Sequence, residues 1–166
     1  SAFQEIKPEL ADAIRTSIDR VRNFHQRQKR QDWFLDEGGI RTGQLIRPLS
    51  RVGIYAPAGA APLLSTLIMD AVPAQVAGCP EIVVCSVPQK VTGKPHPTIL
   101  ATCFLLGLDP NQIWGIGGAQ AIFSMAYGLK GLPPVDGIYG PGNQYVMEAK
   151  RQVLGEVKIE SLPGNT

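Results

Sequence analysis

The stretch VGIYAPAG at Val52–Gly59 sets the pattern on which the fold of this chain is predicted. A β-branched and aromatic run ends in glycine and leads toward a helix-like segment, and the pattern returns in IWGIGGAQ at Ile113–Gln120 and in GIYGPGN at Gly137–Asn143. Helix starts carry backbone N–H groups without an intrahelical partner, and glycine lets an anionic ligand approach them. Any single strand-to-helix turn favours glycine on packing grounds alone. Three such turns in 166 residues predict a phosphate-binding site.

A polar side chain stands at the edge of each turn and is a candidate ligand contact. Tyr55 lies in the first turn, Gln120 follows the glycines of the second, and Asn143 closes the third. Each has a structural alternative, since Tyr55 can pack at the end of a strand, and Gln120 and Asn143 can cap helices. Capping does not exclude contact with a ribose or a phosphate, so both interpretations stay open.

From Arg51 onward, short apolar runs alternate with helical segments. Their starts are about 20–30 residues apart, which is typical of βαβ units with a parallel sheet. We therefore predict an α/β fold with an incomplete Rossmann-like parallel sheet and flanking helices. The GxGxxG fingerprint of standard dinucleotide sites is absent, so a nucleotide site here would be of another kind. The strands are expected near Val52–Tyr55, Ile82–Cys85, Gln112–Gly115, Val135–Tyr139 and Val157–Glu160.

The N-terminal third lacks this alternation and is expected to form a separate arm. Apolar residues recur every three or four positions after Pro8, which predicts an amphipathic helix to about Lys29. Its basic face suits nucleic acid, an acidic partner or solvent, and we favour solvent. An extended arm or hairpin should follow, with Trp33 and Phe34 as docking anchors. The predicted domains are residues 1–50 and residues 51–166.

Two proline and glycine positions predict local features of the helix after the first turn. Pro73 should kink or divide that helix, because proline lacks the N–H of the helical ladder. Gly78 stands where a helix C-cap is expected.

Composition excludes several classes of protein. The chain is 44% apolar with a net charge of +2, and it lacks the uncharged run of about 20 apolar residues that a membrane span needs. Without a signal-peptide pattern or a base-stacking aromatic pattern, we expect a cytoplasmic protein that binds neither membrane nor nucleic acid. Cys79, Cys85 and Cys103 are expected to be buried reduced thiols. Only His25 and His96 could supply imidazole, both are expected at the surface, and no metal site is predicted.

Several blocks resemble the signature blocks of the histidinol dehydrogenase family in their order. They are VGIYAPAGAAPLLSTLIMDAVPAQVAGCPEIVVC at Val52–Cys85, GGAQAI at Gly117–Ile122 and GPGNQYVMEAKRQ at Gly140–Gln152. The match also runs upstream through Phe24–Lys29 and Thr42–Gln44 and so covers nearly the whole chain. Family members oxidise histidinol to histidine with two NAD, a zinc ion and a histidine base. By resemblance, the zinc ligands and catalytic bases belong to a C-terminal portion beyond Thr166.

The resemblance implies specific contacts. It makes Tyr55, Gln120 and Asn143 contacts of NAD, with phosphates near Gly59, Gly118 and Gly142, and it makes Thr166 a candidate substrate contact. Two departures from the family pattern stand out. Pro57-Ala58-Gly59 stands where the family has Pro-Gly-Gly, so Ala58 replaces a glycine, and Asn165-Thr166 stand where the family has Pro-Ser. NAD binding is therefore expected to be weak.

Three functions remain open on this basis. The chain is the NAD-binding portion of a histidinol dehydrogenase-like oxidoreductase, inactive in isolation; or a non-catalytic module that binds a nucleotide or a partner; or a dehydrogenase of another small alcohol. A homo-oligomer, or association with the missing C-terminal portion, is expected because a lone segment of such an enzyme would expose apolar surface.

Overall fold

A computed structural model describes residues 6–58 and 61–160. The elements, in chain order, are α1 (Pro8–Gln26), β1 (Trp33–Glu37), β2 (Ile40–Gln44), β3 (Arg51–Ala56), α2 (Leu64–Ala77), β4 (Glu81–Ser86), α3 (Pro97–Leu105), a 3₁₀ turn (Pro110–Gln112), β5 (Ile113–Trp114), α4 (Gly118–Tyr127), β6 (Gly137–Tyr139), α5 (Gln144–Gln152) and β7 (Lys158–Ile159).

Within the described residues, β3 to β7 form one parallel sheet in the order β5-β4-β3-β6-β7. The chain builds outward from β3 through β4 to β5, then returns to the other side of β3 with β6 and β7. This is the strand order of a Rossmann-like sheet, and it places a topological switch point between β3 and β6. The predicted fold class is confirmed.

Two apolar layers enclose the sheet. Val52 and Ile54 of β3 are buried with α1, α2 and α3 on one face, whereas Tyr55 is buried with α4 and α5 on the other. Successive side chains of a strand point to opposite faces, so a strand covered on both faces is apolar throughout.

The first helix is part of this core. Ile14 and Ile18 are buried in the same cluster as α2 and β3, and Arg22 donates a hydrogen bond to Gln75 of α2 at 2.9 Å. The helix ends at Gln26 rather than near Lys29. The division of the chain into domains at residue 50 stays a prediction, and the structure shows that α1 shares its core with the sheet.

The predicted hairpin is present as the antiparallel pair β1 and β2. Gly38 and Gly39, with φ of 57° and 81°, form the two-residue turn that requires positive φ at both positions. The expectation that Trp33 and Phe34 dock is wrong for the part of the chain described: their exposed fractions are 56% and 48%. Trp33 bonds across the hairpin to Gln44, so these aromatic rings stabilise the hairpin itself.

Pro73 lies inside α2, which continues from Leu64 to Ala77, so the proline does not divide the helix; a kink at Pro73 stays a prediction. The proline removes one hydrogen bond of the ladder, but Val72 before it and Ala74 after it are both buried in the core. This burial holds both halves of the helix in place. Gly78 ends α2 in the left-handed conformation with φ of 90°, as predicted.

The three free cysteines and the two histidines are all buried or half-buried. Cys85 and Cys103 are buried and Cys79 is half-buried, and burial raises the pKa of Cys85 and Cys103 to about 12. His96 is half-buried rather than at the surface, since its Nδ1 caps α3 by accepting a hydrogen bond from the Thr98 N–H. His25 is half-buried as well.

Candidate functional site

A cleft opens where β3 and β6 end. The chain leaves β3 toward α2 on one face of the sheet and leaves β6 toward α5 on the other, so the two connections diverge. Ligands of open α/β sheets collect in the crevice at such a switch point. The cleft has a volume of about 350 Å³ and is lined by Tyr55, Pro57, Ala58, Leu63, Val87, Pro141, Gly142 and Asn143.

Tyr55 connects the first turn to the second. Its side chain is buried, and its hydroxyl accepts a hydrogen bond from the Gly118 N–H at 3.1 Å. The hydroxyl therefore occupies one of the amides that the start of α4 leaves without a helical partner. Packing at the strand end, the structural alternative for Tyr55, is what the geometry shows, and the ring still forms part of the cleft wall.

The start of α4 is compact because of its glycines. A Cβ at Gly117 would overlap the side chain of Val87, and Gly118 begins the helix with φ of 66°. Gln120 lies exposed in the first turn and is not among the residues that line the cleft. The second glycine turn thus forms a helix start beside the cleft, and Gln120 is exposed on that helix start.

The third turn is capped by its own asparagine. Asn143 Oδ1 accepts hydrogen bonds from the N–H groups of Tyr145 and Val146, both at 3.1 Å. A Cβ at Gly142 would overlap the Val146 side chain, which accounts for glycine there. The capping interpretation of Asn143 is confirmed, and the exposed side chain also lines the cleft.

The first turn differs from the prediction. Instead of starting directly after the glycine, α2 begins at Leu64, because the chain first closes a turn in which Leu63 N–H donates to the Pro57 carbonyl at 3.0 Å. Ala58 forms an antiparallel bridge with Pro62 inside that turn. Gly59, predicted to lie near phosphate, and Thr166, the candidate substrate contact, lie outside the described residues.

A buried charged group under the third turn was missed by sequence reasoning. Lys150 of α5 is only 1% exposed, and its Nζ donates to the Gly140 carbonyl at 2.6 Å and to Glu160 at 2.9 Å. Glu160 also accepts the Gly140 N–H, at 3.0 and 3.2 Å to its two oxygens. One signal could have revealed the lysine: it follows Val146 by four residues and so shares the buried face of α5.

Asp70 of α2 lies near this group. Its Oδ2 is buried and has no hydrogen-bond partner within the described part of the chain. Burial, followed by the negative charge of Glu160, raises the pKa of this carboxyl to about 7 against the opposing effect of the positive charge of Lys150. Burial also raises the pKa of Tyr139, and the negative charges of Cys79, Glu160 and Asp70 act in the same direction.

Across residues 6–58 and 61–160, no group of three or more His, Cys, Asp or Glu side chains is placed to hold a metal ion. The expectation that the chain lacks a zinc site stays a prediction, because it also concerns residues beyond those described. No helix in the same ranges is long and apolar enough to cross a membrane.

Comparison with known proteins identifies the relatives of this chain. The profile of the histidinol dehydrogenase family matches residues 1–166. The chain belongs to the histidinol dehydrogenase family. The resemblance read from the glycine blocks is thereby confirmed.

Individual relatives give the same result and show how much of them the chain represents. It is 52% identical to histidinol dehydrogenase of Deinococcus radiodurans over 98% of the chain but 36% of the relative. The enzyme of Thermus thermophilus is 46% identical over 99% of the chain and 38% of the relative. The crystal structure of histidinol dehydrogenase from Elizabethkingia anophelis superposes with a TM-score of 0.91 at 37% identity, over 98% of this chain and 37% of that one. The chain spans just over a third of the length of these relatives and corresponds to an N-terminal portion.

Proposed function

We propose that this chain supplies the NAD-binding portion of a histidinol dehydrogenase-family oxidoreductase, and that the nucleotide lies in the cleft where β3 and β6 end. The observation that carries the proposal is the coincidence of the cleft with the switch point of the sheet. By family resemblance, the whole enzyme oxidises histidinol to histidine, and bound NAD supplies the hydride acceptor.

The residues present fit an anionic nucleotide at this position. Gly142 lines the cleft at the start of α5, and Gly117 packs against the cleft residue Val87 at the start of α4. The positive ends of these two helices favour phosphate. Tyr55 and Pro141 give apolar walls, and the exposed amide of Asn143 can donate a hydrogen bond. In this arrangement the chain binds and orients the nucleotide.

The same contacts argue for weak binding. The hydroxyl of Tyr55 occupies the Gly118 amide, and Oδ1 of Asn143 occupies the amides of Tyr145 and Val146. These helix-start donors are therefore already satisfied before a phosphate arrives. Because each hydrogen bond is worth roughly 0.5–1.5 kcal/mol, we expect a dissociation constant for NAD on the order of 1 mM.

An NMR titration of the isotopically labelled chain with NAD tests the site. The amides of Tyr55, Gln120 and Asn143 should shift together, and Gln120→Ala and Asn143→Ser should each weaken binding, since serine keeps the helix cap but removes the amide donor. The matched control is Gln152→Ala at the opposite end of α5, where the glutamine bonds to Glu148. Shifts confined to the strand starts around Arg51, or binding unchanged by both variants, would contradict the proposal.

We further propose that the isolated chain does not oxidise histidinol. Removing a hydride from an alcohol needs a base or a metal to take the hydroxyl proton, and the described residues bring together neither around the cleft. Incubating the chain with histidinol, NAD and zinc should give no NADH absorbance above a heat-killed control. Zinc- and histidinol-dependent NADH formation would contradict this.

Association with a second copy or with the C-terminal portion of the enzyme is also proposed. Several large apolar side chains are exposed, and the relatives extend far beyond the matched region. Exposed apolar surface of this kind favours assembly. Sedimentation at micromolar concentration should show species above monomer mass, and a single monomeric species would contradict self-association. The exposed apolar side chains include Phe24, Trp33, Ile40, Phe104, Tyr127 and Tyr145.

Cytoplasmic location stays a prediction.

A further inference from the structure

We infer that Lys150 and Glu160 form a clamp that positions the Gly140–Asn143 turn for the nucleotide, an inference that rests on the proposed NAD site. Neither residue lines the cleft. They act on it through the backbone of Gly140, and they are therefore positioning residues rather than ligand contacts.

The clamp holds both hydrogen-bonding groups of one residue. The Gly140 carbonyl accepts from Lys150 Nζ at 2.6 Å, and the Gly140 N–H donates to the Glu160 carboxylate at 3.0 Å. The two side chains also bond to each other at 2.9 Å. Because Lys150 comes from α5 and Glu160 follows β7, the turn is held from two separate elements.

The backbone at position 140 requires glycine. Its φ of 107° lies in the region that only glycine adopts readily, and a Cβ there would overlap the Tyr55 carbonyl at the end of β3. The turn is therefore packed against β3 on one side and bonded to the clamp on the other. This geometry determines where Pro141, Gly142 and Asn143 stand in the cleft wall.

The charge of the clamp has a structural reason. Strand pairing between β3 and β6 ends at Ile54 opposite Tyr139, so Gly140, the next residue, has no pairing partner on β3. Buried backbone groups need a replacement partner, and an ammonium with three donors can serve a carbonyl and a carboxylate together. A buried ammonium in turn needs a carboxylate beside it, which Glu160 provides.

Three variants of the chain test the clamp through two measurements. Lys150→Met and Glu160→Ala should each speed hydrogen exchange at the Gly140 amide and raise the dissociation constant for NAD about tenfold, which corresponds to the loss of one charge-assisted hydrogen bond. Glu160→Gln keeps an oxygen for both bonds and should restore NAD affinity to within about twofold of the wild type. The control is Glu81→Gln, which breaks an ion pair at the opposite edge of the sheet and should change neither measurement.

The outcomes separate the clamp from the proposed function. Hydrogen exchange at the Gly140 amide is measured without nucleotide, so it tests the clamp even if the wild-type protein does not bind NAD. Failure of the wild type to bind NAD would overturn the proposed function alone. Variants that lose stability yet keep both wild-type exchange at Gly140 and wild-type NAD affinity would show that the ion pair only supports the fold, and would overturn the inference. If Lys150→Met does not fold, the comparison of Glu160→Ala with Glu160→Gln still decides it.

Discussion

An ion pair lies at each end of the strands, one at the amino ends (the amino edge of the sheet) and one at the carboxyl ends (the carboxyl edge). The two pairs differ in burial and in the groups that they hold. At the amino edge, Arg51 bonds to Glu81 at 2.7 Å, and the two side chains are 22% and 44% exposed. At the carboxyl edge, Lys150 is buried and bonds to both Glu160 and the backbone of Gly140. The first pair links the starts of two neighbouring strands, whereas the second fixes a turn.

This difference follows from the topology. At the amino edge, the strand starts remain side by side, so the backbone ladder does most of the holding and a solvated ion pair adds little. At the carboxyl edge, the chain diverges at the switch point and leaves backbone groups without a strand partner, so buried side chains must satisfy them. The comparison predicts that changes at the carboxyl edge cost more than equivalent changes elsewhere.

The largest effect is expected from Gly140→Ala. The new Cβ would overlap the Tyr55 carbonyl at a φ of 107°, so we expect a loss of about 3 kcal/mol or more in the free energy of unfolding. The matched control is Gly155→Ala, where φ is 101° but no atom lies within 4 Å of the added Cβ; strain alone should cost about 1 kcal/mol there. Urea denaturation measures both, and equal losses would show that close packing at Gly140 is unimportant.

A pair of identical substitutions compares the two ion pairs directly. Glu160→Gln leaves the buried Lys150 charge without a carboxylate, so we expect it to cost about 2–3 kcal/mol. Glu81→Gln leaves the partly solvated Arg51, so about 0.5 kcal/mol is expected. Denaturation at low and high salt checks the difference, because salt should affect only the amino-edge pair noticeably. Similar costs for both substitutions would contradict the assigned roles of burial and topology.

Asp70, which lies near the carboxyl-edge ion pair, should make the free energy of unfolding depend on pH. Its carboxyl has a pKa of about 7 in the folded chain, raised by burial and then by Glu160 against the opposing charge of Lys150, while Tyr139 also faces it. The unfolded chain has the ordinary value of 3.8, so between pH 4 and 7 the folded state binds more protons. The free energy of unfolding therefore falls as pH rises through this window.

Asp70→Asn should remove that loss. We expect the variant to exceed the wild type by about 1–2 kcal/mol at pH 8, with the gap closing toward pH 4. Thermal denaturation across this range measures the gap, and Asp36→Asn on the exposed hairpin serves as the control. A gap that stays constant with pH would show that ionisation of Asp70 is not its source.

Much of this architecture could be predicted from local pattern. The spacing of the glycine turns predicted the parallel sheet, and the resemblance of the same blocks identified the family. Asn143 as a helix cap and Gly78 as a helix end also followed from residue type and position, because caps depend on neighbours in sequence.

What could not be predicted depends on contacts distant in sequence. The hydroxyl of Tyr55 meets Gly118 across 63 positions, and Lys150 meets Gly140 only because α5 folds back over the turn. Local rules predicted that Pro73 would kink or divide α2, yet the helix continues through the proline with buried residues on both sides of it. Trp33 was predicted to be a docking anchor because large aromatic side chains are usually buried in a core, yet in the hairpin its side chain is exposed.

The smallest effect is expected at the Asn143 cap, where stability and binding separate. Asn143→Ala removes the acceptor for the Tyr145 and Val146 amides and should cost about 1 kcal/mol, while Asn143→Ser keeps an acceptor and should cost a few tenths, roughly 0.3 kcal/mol. Asp109 provides the comparison away from the cleft, since its carboxylate accepts the Asn111 N–H ahead of β5. Asp109→Ser should likewise change stability slightly and leave NAD affinity unchanged, whereas Asn143→Ser should weaken NAD binding despite its small cost. Paired denaturation and NMR titration measure both quantities, and an Asn143→Ser variant with wild-type affinity would confine this asparagine to capping.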